Sequence, residues 1–200
     1  MIQYIICLNR TQGGFTKVLI HIKRKVNTKI IRENIKIMGA SASLFRKGEY
    51  PAEKDLDIII DIFTKMKFYG GGKEKDKLST GESFSISFTN DHWRRRWDDD
   101  DYQWDSLDDN DHIIIYFFPK PKESHEYYIP SMGETVPSFI IFDDISGRER
   151  LLLEFFHRYF KLFPEDVFME EYFYTKDDID KLYAKLPWNE LWAYEDPKTF

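Results

Sequence analysis

The chain has 200 residues, 42% of them hydrophobic and 17% aromatic, which is enough apolar mass for one domain with a real core. The formal net charge is −6, and the single cysteine, Cys7, excludes an internal disulfide and any cysteine-built zinc site, pointing to a reducing compartment, the cytoplasm. No run approaches the roughly 18 apolar residues of a membrane-spanning helix, so no membrane partner is expected.

The charge is divided unevenly along the chain. Residues 1–47 form a basic N-terminal arm with ten Lys or Arg and one acid, Glu33, whereas residues 48–200 carry nineteen bases against thirty-four acids. Met38 opens the stretch MGASASLFRKGEYP, which reads as a natural chain start. Residues 1–37 are therefore expected to be leader sequence, and the arm counts little toward function. Within it, Lys17–Lys25 alternates apolar and polar residues as a strand would.

From Pro51 the sequence AEKDLDIIIDIFTKMKF reads as a helix, with acids at its start and Lys65 and Lys67 near its end. Leu56, Ile59, Ile60, Phe63 and Met66 form one apolar stripe, and Gly70–Gly72 is expected to stop the helix. Glu82–Thr89 alternates Phe84, Ile86 and Phe88 with polar residues, as a strand with one buried face does. His112–Phe118 is a continuous run of β-formers ending at Pro119, the pattern of a central strand covered on both faces. Glu126–Ile129 and Ser138–Phe142 read as two more strands, joined by a loop punctuated by Gly and Pro.

Ser146 and Glu149 have capping-box spacing before the helix Arg148–Phe163, which Pro164 ends. Asp166–Tyr174 reads as a short strand, and Thr175 with Asp178 marks another helix start. Trp188 and Trp192 are expected to pack on the body. The sum is an α+β fold: one mainly antiparallel or mixed sheet of four to six strands backed by two or three helices, forming a single domain over 48–200.

Motifs for chemistry are few. No G-x-S-x-G elbow is present, and Gly70–Gly72 lacks the Lys-Ser/Thr that follows a phosphate-binding loop. An EF-hand pattern also fails, for want of its glycine and final glutamate. No cofactor and no metal are expected. His157 falls in an apolar helix and reads as a packed histidine, and His125 sits in a polar loop. His92 and His112 could meet across neighbouring strands and, with loop aspartates, hold a metal, which gives one alternative function, a metal-dependent hydrolase.

The most unusual stretch is DHWRRRWDDDDYQWDSLDDNDH, residues 91–112, with nine aspartates, three tryptophans and three consecutive arginines. Like charges at this density oppose burial, so 91–111 is expected to be a solvated acidic loop. A plain spacer has no use for tryptophan, whereas rings and carboxylates together suit docking to a basic protein. The predicted partner-binding residues are Trp93, Trp97, Asp98, Asp99, Asp100, Asp101, Tyr102, Trp104, Asp105, Asp108, Asp109 and Asp111. The adjacent Arg94–Arg96 are expected to tether the loop to its own acids. The aspartates would repel phosphate, so the body is not expected to bind nucleic acid directly.

The segment RERLLLEFFHRYFKLFPEDVFMEEYFYTKDDIDKLY resembles a pattern found in bacterial immunity proteins of polymorphic and contact-dependent toxin systems. The matching positions are Phe163, Pro164, Asp166, Tyr174, Thr175, Asp178 and Ile179, over about thirty-five residues. The resemblance implies a small, non-enzymatic α+β protein that binds and neutralises a cognate toxin. A nuclease toxin, with its basic cleft, would suit the acidic aromatic loop. A second alternative, a phage-type acidic decoy that inhibits a nucleic-acid-binding protein, shares the mechanism.

Overall fold

A computed structural model of the protein describes residues 4–11, 14–21, 41–48, 53–70, 74–78, 81–91, 111–120, 126–143, 145–185 and 192–199. The chain forms two compact units, 1–38 and 39–200. In the first, β1 (Tyr4–Thr11) pairs with β2 (Gly14–His21) as an antiparallel hairpin. The predicted strand Lys17–Lys25 overlaps β2 from residue 17 to 21, the observed strand starts three residues earlier, and residues 22–25 lie outside the described residues.

In the second unit the described strands are β3 (Ala42–Phe45), β4 (Tyr69–Gly70), β5 (Glu74–Leu78), β6 (Gly81–Thr89), β7 (His112–Phe117), β8 (Glu126–Ile129), β9 (Glu134–Asp143), β10 (Val167–Met169) and β11 (Phe173–Tyr174). They form one sheet in the order β11-β10-β3-β9-β7-β6-β4, with β5 beside β6 and β8 beside β9. All the pairings are antiparallel. Among the described residues three α-helices accompany it: α1 (Glu53–Lys65), α2 (Glu149–Tyr159) and α3 (Lys176–Ala184). The α+β class expected from the sequence is what the structure shows. The nine described strands exceed the expected four to six: β4 and β11 are two residues each, too short for alternation to betray them, and neither β3 (ASLF) nor β5 (EKDKL) alternates apolar with polar residues.

The helices bury one face of the sheet. Phe63 of α1 stacks on Phe88 of β6 at 4.1 Å and on Phe155 of α2 at 4.6 Å. Phe142 of β9 meets Phe155, Phe156 and Phe168 edge-on at 5.3–6.4 Å. These rings are fully buried, and edge-to-face geometry sets positive ring edges against negative ring faces. Along β7 burial alternates: Ile113, Ile115 and Phe117 are buried, whereas His112, Ile114 and Tyr116 are half-buried. The strand is central, as predicted, but only one of its faces is fully covered. Its opposite row sits beside Ser85 and Ser87 of β6, which offer little apolar surface.

Local signals explain several boundaries and miss others. At α3, Thr175 N donates to Asp178 Oδ2 at 2.9 Å in a capping box, as the spacing predicts. At α2 the expected Ser146–Glu149 box does not form. Arg148 is the N-cap residue, and Glu149 Oε1 instead accepts from Gly147 N at 3.3 Å. Helix α1 ends before the triple glycine, through Lys67 at φ 67°, where Phe68 N reaches back to Phe63 O at 2.9 Å. The expected strand 166–174 is broken into β10 and β11 by a turn in which Glu170 N donates to Tyr172 O. Trp192 is buried, as predicted, with Nε1 donating to Glu149 O at 2.9 Å, and Trp188 lies outside the described residues.

A buried ionic cluster links distant elements. Arg46, just after β3, donates from Nε and Nη2 to Asp166 at 2.8–3.0 Å and from Nη2 to Tyr159 Oη at 2.9 Å. Its Nη1 lies 3.3 Å from Asp55 of α1. The guanidinium also faces the Phe163 ring at 4.2 Å and the Phe139 ring at 5.0 Å. Burial opposes its charge, yet the Asp166 hydrogen bond and the nearby carboxylates outweigh that and hold its pKa above the ordinary value. Every partner in the cluster is engaged, which suits a structural tie rather than a reactive group.

Candidate functional site

Strands β6 and β7 pair in continuous register from Phe84↔Phe117 to Thr89↔His112. Residues 90–111 are therefore the connection of one hairpin, 22 residues where about two to five suffice. Phe84, Ile86 and Phe88 put the apolar row of β6 against the helices, and this fixes where the connection leaves the sheet.

The two ends of the connection are fastened together. Asn90 N donates to Asp111 O at 3.1 Å, which continues the ladder one step beyond the strands. The Asn90 side-chain amide donates to Asp111 Oδ1. Asp111 is only 9% exposed, so its carboxylate is turned into the protein. It is the one predicted docking residue within the described residues. Trp93, Trp97, Asp98–Asp101, Tyr102, Trp104, Asp105, Asp108 and Asp109 lie outside them, as do Arg94–Arg96. A second tie lies one residue on. Arg148 is buried and donates from Nε to His112 O at 2.7 Å and from Nη1 to Ser146 O at 3.2 Å, joining the start of β7 to the start of α2.

Of the two histidines proposed as metal ligands, His92 and His112, only the second is described. His112 Nε2 lies 3.1 Å from Ser87 Oγ on the neighbouring strand. Among the described residues no group of three or more His, Cys, Asp or Glu side chains is placed to hold a metal ion.

An open cleft of about 390 Å³ adjoins the same root. Lys65, Met66 and Phe68 come from the end of α1, Asn90 and Asp111 from the hairpin, and Arg150, Leu151, Glu154 and Arg158 from α2. Three exposed cations, Lys65, Arg150 and Arg158, stand around it, while Asp111 is buried and Glu154 half-buried. Lys65 Nζ lies 2.6 Å from Asp61 Oδ2, and Arg158 Nε donates to Glu154 Oε1 at 2.8 Å. Glu154 Oε2 accepts from Tyr183 Oη of α3 at 2.7 Å. Burial pushes the Glu154 carboxyl up, but the hydrogen bonds from Tyr183 and Arg158 prevail, and its pKa falls below the ordinary 4.5. The cleft thus sets positive charge at the foot of the most acidic stretch of the chain.

Next to it, His157 of α2 lies flat on Tyr183 with ring centroids 3.7 Å apart, and its Nδ1 is 3.3 Å from Asp180. It is a packed histidine, as the sequence suggests. Desolvation and the nearby Lys161 lower its pKa below 6.5.

Sequence reasoning did not single out Asn90, Arg148 or the cleft residues Lys65, Arg150, Glu154 and Arg158. Asn90 leaves a faint trace, because it breaks the alternation of β6 immediately before the acidic run. Arg150, Glu154 and Arg158 lie four residues apart along α2, but they come beside Lys65, Asn90 and Asp111 only when α1, α2 and the hairpin pack. Among the described residues no helix is long and apolar enough to cross a membrane. Comparison with known proteins finds no matching family model, no similar curated protein and no similar solved structure.

Proposed function

We propose that the protein is a non-enzymatic, cytoplasmic immunity protein that binds and neutralises a cognate toxin, a nuclease, through the acidic aromatic connection between β6 and β7. One observation carries this reading: a hairpin that a few residues would close instead has 22, with its ends locked by Asn90 and Asp111. Connections of this length in compact domains serve binding more often than folding. Its composition states what it would bind. Aspartates at Asp98–Asp101, Asp105, Asp108 and Asp109 match the basic cleft of a protein that holds phosphate, and they accelerate encounter by steering. Trp93, Trp97, Tyr102 and Trp104 supply the large planar contacts from which hot spots are made.

The test is a growth-protection and binding experiment with the nuclease toxin domain that this reading places in a neighbouring gene. Changing Asp98–Asp101 to Asn together is expected to slow association at least tenfold at low salt and to flatten its dependence on ionic strength. Circular dichroism and urea midpoint should stay at wild-type values. Unchanged protection and an unchanged salt slope in the folded variant would overturn the reading.

A further inference from the structure

We draw no further inference here: the strongest candidate, the cation-rimmed cleft between the end of α1 and α2 at the root of the acidic connection, belongs to the site already described, and its Lys65 and Arg158 are already engaged by Asp61 and Glu154.

Discussion

Two hairpins of the same sheet solve the same closure problem in opposite ways. Between β8 and β9 the connection is four residues, Pro130–Gly133, held by backbone hydrogen bonds, by the buried Met132 side chain and by Lys47 Nζ, which donates to Met132 O at 3.0 Å. Met132 N and Gly133 N both donate to Ile129 O, at 3.0 and 2.9 Å, and Gly133 takes φ 71°, the left-handed conformation that glycine adopts without strain. Between β6 and β7 the connection is 22 residues, and a side-chain clasp, Asn90 on Asp111, fastens its ends. The first turn is all scaffold. The second closes its ladder at Asn90 and Asp111, below the segment to which binding is assigned above.

The largest effect should come from what the two hairpins share. Phe142 of β9 touches Phe155, Phe156 and Phe168, so Phe142→Ala is expected to cost about 3–5 kcal/mol and to weaken both hairpins together. Hydrogen exchange that stayed slow in β7 while β9 opened would show that they do not share one core.

Replacing residues 92–110 with a short glycine-rich turn sharpens the contrast itself. Shortening the loop about fivefold should raise stability by roughly 1.5 kcal/mol through cheaper closure, while binding of the toxin domain disappears. A large loss of stability in urea unfolding would mean that the excised segment packs on the body.

The two fasteners can then be weakened one at a time. Asn90→Ala withdraws a donor from the buried Asp111 carboxylate and is expected to cost about 1–2 kcal/mol. Gly133→Ala meets no atom within 4 Å, so its cost, about 1 kcal/mol, is conformational alone. Asn90→Ala should also blunt toxin binding, and Gly133→Ala should leave it intact.

The smallest effect concerns the cleft beside the long connection. Glu154 has a depressed pKa in the folded protein, so the unfolded chain takes up its proton first as pH falls. Its stabilising contribution is present above about 4.5 and fades as pH drops through the folded value. Glu154→Gln should therefore be less stable than wild type at pH 7 by a few tenths of a kcal/mol, since Arg158 is partly exposed and screened. That difference should shrink as the pH falls below about 4.5. A gap in thermal unfolding that did not narrow at all on acidification would place its origin in packing rather than charge.

What could be read in advance follows how far apart the interacting residues lie. The alternation of β6 and the Thr175–Asp178 cap depend on neighbours within a few positions and appear where their patterns put them. The stripe of α1 is met in part: Leu56, Ile59 and Phe63 are buried, Ile60 and Met66 are half-buried, and Ile62, outside the expected stripe, is buried too. Local spacing misleads at Ser146–Glu149, because Arg148 is drawn instead to the His112 carbonyl thirty-six residues away. Strand β3 left no sequence trace, as its four residues owe their conformation to β9 and β10 on either side. The acidic stretch was conspicuous from composition alone, whereas its anchors were not. Asn90 is an ordinary residue until the β6–β7 register sets it opposite Asp111, and Asp111, expected among the solvated docking residues, is instead the buried half of the clasp.

The placement of β3 has a consequence for biosynthesis. Its partners on both sides arrive late: Ala42 pairs with Phe142, about a hundred residues downstream, and Val167 pairs with Phe45 later still. Arg46 likewise waits 120 positions for Asp166. As the polypeptide leaves the ribosome, this early segment must stay unpaired until most of the chain has emerged. A nascent chain stalled before Glu134 should therefore expose β3 to chaperones, and one stalled between β9 and Val167 should leave it paired on one side only.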